Sequence, residues 1–447
     1  MNLEELASGV IEQAKKGGAT GAECTVSEGD HFSASVRMGE IESLQEAGSR
    51  GAGVRVLIGK NAGSAYTSDL SDDGIAHMVQ SALELAKITS EDPFAGLPDS
   101  SELGKITGDL ELYSESVVQL PASTKIEWAK RAEAAALAAD PRIANSEGGS
   151  FDTRVGSTVF ANSLGFLGSY RSSSCSISAV PVAKQNGSME RDFWFSVARS
   201  VDALENPEEV GRKAAERALR RLGARKVSTQ KAPVIFEPRV ARTLLDNIFD
   251  AISGESVYRG ETFLAGKLGQ KVATDKLTVV DDATIPKLFG SSPFDDEGVP
   301  PRRTAVIQDG VLQSWLLNSY TARKLGLRTT GNASRGITGN AGVGHGNFYI
   351  PNGTVDPADI IKSVKRGLYI TELIGFGVNI VTGDYSRGAA GLWIENGELA
   401  YPVSEITIAS TLQQMLANLE AIGSDLEFRG ALASPTLLIP EMTISGQ

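Results

Sequence analysis

Leu392-Trp-Ile-Glu-Asn-Gly-Glu-Leu-Ala-Tyr401 reads as two short strands meeting at Asn396-Gly397. Asn and Gly both accept the positive φ that a two-residue hairpin turn requires, so the pair is a strong hairpin signal. A second hairpin is predicted within Thr304-Ala-Val-Ile-Gln-Asp-Gly-Val-Leu-Gln-Ser-Trp-Leu316, around Asp309-Gly310. Upstream, the apolar run Val234-Ile-Phe236 is followed by helical spacing from Pro238 to about Ile252. Downstream, a helix is expected from Leu412 to Ile422, stopped by Gly423, and a last strand from Pro435 to Ile444. From residue 270 onward the pattern is mostly β.

The first half alternates helices and strands. Leu3, Leu6, Ala7, Val10, Ile11 and Ala14 share one helical face. Strand alternation follows at 33–38 and 53–58. Ser71 caps a helix carrying Ile75, Met78, Val79, Ala82, Leu83 and Ala86. A further helix runs from Pro121 to Ala139. Another opens at Asn206-Pro207, with a cap and a proline at its first position. The basic residues Arg220, Arg221, Arg225 and Lys226 near its end read as complements to the helix dipole. The fold class is α+β: an α/β N-terminal region followed by a mostly β C-terminal domain. A chain of 447 residues exceeds one ordinary core. The expected units are 1–100, 101–228 and 229–447, with the polar residues 227–232 as the clearest boundary.

The formal net charge of -12 gives no global attraction for nucleic acid or an anionic membrane. No apolar stretch is long enough to span a bilayer, and the acidic start is unlike a secretory signal. Two cysteines, Cys24 and Cys175, cannot form a disulfide framework. A cytoplasmic protein is expected.

Catalytic signatures are scarce. Of three histidines, His31, His77 and His345, no two are close in sequence, so the helical pair of zinc peptidases is impossible. His345 lies in the glycine-rich stretch Gly342-Val-Gly-His-Gly346, and loops often carry functional groups. There is no G-x-S-x-G elbow, and Gly383-Asp-Tyr-Ser-Arg-Gly388 resembles one only loosely. Asp246 and Asp250, four residues apart on one helix, share a face. Such a pair suits a metal or acid–base work, although a solvated polar face is the commoner reason for it.

Several stretches together resemble the TldD/PmbA family. They include Phe263-Leu-Ala-Gly-Lys-Leu-Gly269, Ser292-Pro-Phe-Asp-Asp-Glu-Gly298, Ser319-Tyr-Thr-Ala-Arg-Lys-Leu-Gly-Leu327 and Thr330-Gly-Asn332. They continue with Thr382-Gly-Asp-Tyr-Ser-Arg-Gly-Ala-Ala-Gly391, Tyr401-Pro-Val-Ser-Glu-Ile-Thr-Ile-Ala409 and Glu441-Met-Thr-Ile-Ser-Gly446. Ser49-Arg-Gly-Ala-Gly-Val-Arg-Val56 extends the resemblance to the first half.

The resemblance implies one of two subunit kinds. The TldD kind holds zinc with H-E-x-x-x-H and a distant cysteine, and the glutamate is the general base. The PmbA/TldE kind lacks them. Here the motif positions fall on Leu245, Asp246 and Asp250, and residues 424–434 contain no cysteine. The implied role is that of a non-catalytic, metal-free subunit of a metalloprotease that cleaves short or unfolded peptides. It would supply half of the cleft and carry no cofactor, with zinc in a TldD-type partner. Asp384, Tyr385, Ser386, Arg387 and His345 are the candidate peptide contacts, with docking at a strand edge near residues 381–393. Two alternatives are a free-standing homodimeric peptide-binding protein and an unorthodox metallopeptidase built on Asp246, Asp250 and His345. The family's older association with DNA gyrase control gains no support for direct DNA contact from this acidic chain.

Overall fold

The computed structural model describes residues 2–446. The first half is built on very long antiparallel strands. Gly21–Arg37 lies between Glu40–Ile58 and Ile143–Asn162, and Leu167–Gln185 follows, with short strands Asn61–Thr67, Ser188–Arg191 and Trp194–Ala198 at the margins. Strands from 1–100 and from 101–228 therefore share one seven-stranded sheet. Its length allows two cores. At one end the helices Leu3–Lys16 and Asp72–Ile88 cover Ala22, Cys24, Val26, Val54 and Val56. At the other, Ala122–Ala138 and Pro207–Leu219 cover Val36, Phe151 and Ile177. The caps read from sequence form: Ser71 accepts from the Gly74 amide, and Asn206 accepts from the Glu208 amide.

The second half centres on a closed sheet. Glu398–Thr411, Asp384–Glu395, Arg366–Ile374, Gln230–Phe236 and Leu437–Ser445 pair in that order, and the last pairs back to the first. Closure leaves these strands without free edges along the ring. Both expected hairpin turns form. Asp309 and Gly310 have φ of 49° and 78°, and Asn396 and Gly397 have 53° and 81°. The helix Pro238–Ile252 follows the Gln230–Phe236 strand. Its apolar face, including Leu244, Leu245, Ile248 and Ile252, shares a core with Phe236, Leu368, Tyr385 and Trp393. Each fully buried side chain of this size contributes roughly 1.5–3 kcal/mol.

Three expectations need correction. The helix from Leu412 ends at Ala417, because Asn418 caps it and the Glu420 amide then donates to the Leu438 carbonyl, drawing Ala421–Ile422 into the sheet. The strand Asp384–Glu395 pairs with Glu398–Thr411 on one side and, on the other, with Arg366–Ile374 from Gly388 onward and with the loop at 377–379 before it, so this strand offers no free docking edge. The basic run does more than complement a dipole. Arg220 pairs with Glu237 at 3.2 Å and Lys226 with Glu405 at 3.0 Å, while Arg221 reaches Glu372 at 2.6 Å. These contacts bind the Pro207–Leu219 helix region to the C-terminal half.

A second junction involves Ser49-Arg-Gly-Ala-Gly-Val-Arg-Val56. A Cβ on Gly53 would sit 1.7 Å from the Ile337 carbonyl oxygen, and one on Gly51 would meet the Ile337 side chain at 2.7 Å. Only glycine lets the loop around Ile337 lie on the sheet. Gly53→Ala is expected to destabilise the protein by roughly 2–3 kcal/mol, seen as a lower urea midpoint. Gly9→Ala, in open space on the first helix, is expected to raise the midpoint by about 0.5–1 kcal/mol of stability. Equal responses would contradict the close-approach explanation.

Candidate functional site

On the Pro238–Ile252 helix, Arg239, Thr243, Asp246 and Asp250 follow an i, i+4, i+7, i+11 spacing and so form one stripe. Leu245 is fully buried, while Asp246 and Asp250 reach solvent. The three positions matched to the family's zinc motif therefore do not present a common surface. Neighbouring protein displaces enough water to push the Asp246 carboxyl up; His345, Arg242 and Arg387 pull it back. Asp250 is pushed up by the same loss of water and by the charge on Asp246.

His345 reaches this stripe from a loop. Its ring lies edge-on to Phe249 with centroids 4.9 Å apart, and its Nδ1 is 2.8 Å from the Gly346 carbonyl oxygen. The loop is fixed from below. Gly346 donates its amide to Asp281 Oδ1 at 2.7 Å, and the Asn332 amide group donates to Oδ2 at 2.7 Å. Burial pushes Asp281 up to about 7. A side chain at Gly346 would meet Ala283 at 2.6 Å, so glycine is required there.

The five candidate peptide contacts separate. Tyr385 is a core residue, 1% exposed, and its hydroxyl has no hydrogen-bond partner among the described residues. Asp384 and Ser386 are exposed on the opposite face of the strand, and Asp384 accepts from the Thr382 hydroxyl at 2.6 Å. Arg387 shares the face of Tyr385 but is only half-buried, and it acts on Asp246 electrostatically. Asp246 thus feels the charges of His345 and Arg387, and Asp250 that of Asp246, while Asp384, Tyr385 and Ser386 do not take part. Sequence reading missed Arg239, Arg242 and Thr243, although the helical stripe through the two aspartates would have found Arg239 and Thr243.

These residues do not fit zinc. Among the described residues no three His, Cys, Asp or Glu side chains converge as metal ligands, and His345 is the only imidazole near the helix stripe. The unorthodox metallopeptidase has no ligand set to build on. His31 and His77 lie elsewhere: His31 is 3.8 Å from Asp152, and His77 is exposed on its helix. Burial pushes both Cys24 and Cys175 up to about 12, so neither is a ready nucleophile.

This half is fastened to the long sheet by Glu23. Arg55 donates to its carboxylate at 2.8 Å and Arg335 at 3.0 Å. Arg335 also donates to the Asp296 carbonyl at 2.8 Å, and its backbone amide donates to the Asp296 carboxylate at 2.7 Å. Burial opposes ionisation of Glu23, yet Arg335 and Arg55 together outweigh it and hold the carboxyl below its ordinary range.

Sequence signatures described as PmbA/TldA metallopeptidase domain 1, central domain and C-terminal domain match residues 22–86, 115–222 and 229–446. The metalloprotease PmbA of Escherichia coli O157:H7 is 44% identical over 100% of this chain and 96% of its own length. A PmbA homolog of Haemophilus influenzae is 39% identical, covering 99% and 96%. The crystal structure of a candidate modulator of DNA gyrase from Bacteroides thetaiotaomicron superposes with a TM-score of 0.92 at 28% identity, covering 99% of this chain and 98% of that one. TldE from Thermococcus kodakarensis shares the fold with a TM-score of 0.88 at 22% identity, covering 99% and 100%.

Two outcomes follow from the electrostatics. A depressed Glu23 contributes stability that is present above its ordinary value of 4.5 and lost as pH falls through the lower folded value. Glu23→Gln is therefore expected to flatten the acid limb of the urea midpoint against pH; an unchanged limb would contradict the assignment. Arg387→Met removes a cation from beside Asp246 and is expected to move the Asp246 titration upward, read by carbon-detected NMR. No movement would show that Arg387 does not act on Asp246.

Proposed function

This chain belongs to the PmbA/TldD metallopeptidase family, and we propose that it is the non-catalytic subunit of a two-component metalloprotease acting on short or unfolded peptides. Its TldD-type paralogue would bring the zinc and the general base. The chain would supply half of the enclosing cleft, at the stripe that carries Asp246 and Asp250 and is faced by His345 and Arg387. A cytoplasmic location and a division into units 1–100, 101–228 and 229–447 belong to the same reading. No helix among the described residues is long and apolar enough to cross a membrane.

One observation carries the reading: the donor set on the helix. Leu245 is wholly within the core, and carbon cannot ligate zinc. Asp246 and Asp250 offer only oxygen, with a single nearby imidazole. A catalytic zinc site needs about three convergent ligands and an open position. A paired subunit retains a use for the same accessible face, because that face can still contact a peptide held against the partner's metal.

The test is peptidase activity on an unfolded peptide. The chain is assayed alone and mixed with its H-E-x-x-x-H paralogue, each with and without a chelator. Activity is expected only in the mixture and is expected to vanish with chelator. Activity of the chain alone would contradict the proposal.

A further inference from the structure

Beside the start of the Pro238–Ile252 helix lies a cavity of about 310 Å³, whose lining includes Phe193, Arg221, Arg239, Thr243, Glu372 and Arg387. Its cations are unequally neutralised. Arg221 is paired with Glu372 at 2.6 Å, and Arg191, also on the wall, is paired with Glu147 at 2.8 Å. Arg239 and Arg387 have no carboxylate partner among the described residues. Arg239 donates to the Phe193 carbonyl at 3.2 Å and lies 4.3 Å over the Phe193 ring. The Arg387 side chain makes no hydrogen bond or ion pair among the described residues, and its Nε is buried without an acceptor.

We propose that this cavity is a carboxylate-binding subsite, in which Arg239 and Arg387 take the C-terminal carboxylate of a peptide. The inference rests on the reading of this face as half of a peptide cleft and adds the chemistry of one end of the substrate. Neither guanidinium is in a salt bridge among the described residues, so both keep donors for an anion, and their planar forks match a carboxylate. Burial, followed by the charge of Arg217, pushes Arg239 down to about 10 against the pull of Glu237 and Asp192, so a further anion beside it would be favoured. Glu372 and Asp192, also on the wall, favour a singly charged anion over a phosphate dianion.

The helix gives the direction. Seven residues separate Arg239 from Asp246, about 10 Å at the helical rise of ~1.5 Å per residue. An extended peptide advances about 3.3 Å per residue, so its third or fourth residue from the carboxyl end passes Asp246. A peptide anchored at the arginines would run along the stripe toward Asp246 and Asp250.

Binding of an unfolded peptide, dye-labelled at its N-terminus, is measured by fluorescence anisotropy with the full chain. The same peptide is compared as free acid and as C-terminal amide. The free acid is expected to bind about tenfold more tightly, as loss of a charge-assisted contact implies. That preference is expected to disappear in Arg387→Gln. Because the acid and amide are compared on one protein, a folding defect cannot produce the difference. An amide carrying a terminal glutamate identifies the source: affinity equal to that of the free acid shows that a side-chain carboxylate also satisfies the site, and weaker binding assigns it to the chain terminus. Equal affinity for acid and simple amide, or no binding of either, overturns the proposal. If the acid preference fails while the mixed subunits still cleave peptide, the partner-subunit reading stands without the subsite. If the preference holds and the mixture is inactive, the subsite stands alone.

Discussion

Glu23 sits almost wholly out of water between Arg55 on the adjoining strand and Arg335 from the other half of the chain. Bringing three charged groups into a low-dielectric junction is expensive, and the gain in net stability over apolar packing is small. Removing one partner is another matter, because it strands the remaining charge at a cost of about 3–5 kcal/mol. The junction therefore enforces one arrangement of the two halves. Arg335 passes the constraint onward by holding Asp296 through both its side chain and its backbone amide. Gly51 and Gly53 allow the loop carrying Ile337 to approach closely enough for that contact. At another junction, Arg217 and Arg220 converge on buried Glu237, the residue immediately before the Pro238–Ile252 helix. The helix that carries the stripe is thus positioned from its first turn by residues of the preceding domain.

The local elements were largely legible in the sequence. Asn396-Gly397 and Asp309-Gly310 announced their turns because positive φ is a property of single residues. Ser71, Asn206 and the apolar spacing of Pro238–Ile252 announced helices for the same local reason. What could not be read was set by distant pairing. Glu398–Thr411 meets Leu437–Ser445 to close the ring, and no local pattern distinguishes a closed sheet from an open one. The unusual length of Gly21–Arg37 was also hidden, because Glu28, Gly29 and Asp30 interrupt its apolar alternation between the two cores. The helix at Leu412 was overextended because Leu419 and Ile422 keep the apolar count of a helix while packing from irregular chain and a strand.

The site was half legible. Asp246 and Asp250 were visible as a helical pair, and Arg239 and Thr243 belong to the same spacing. Arg387 and His345 arrive from a sheet and a loop more than ninety positions further along the chain, so only the folded chain joins them to the helix. Tyr385 misled for a physical reason. Alternation along a strand assigns it the same face as Arg387, but the face passes from the core to the cavity between those two residues.

The helix Pro238–Ile252 exposes two carboxylates with cationic neighbours, and among the described residues no set of metal ligands converges on it. Burial raises both carboxyl groups, and Arg387 and Arg242 beside Asp246 make the face polar and of mixed charge. The most direct measurement is the zinc content of the purified full chain after dialysis, by mass spectrometry of the metal, beside that of its assembly with the paralogue. Far less than one zinc per isolated chain is expected, with about one per assembled pair. One tightly held zinc in the isolated chain would contradict the central claim.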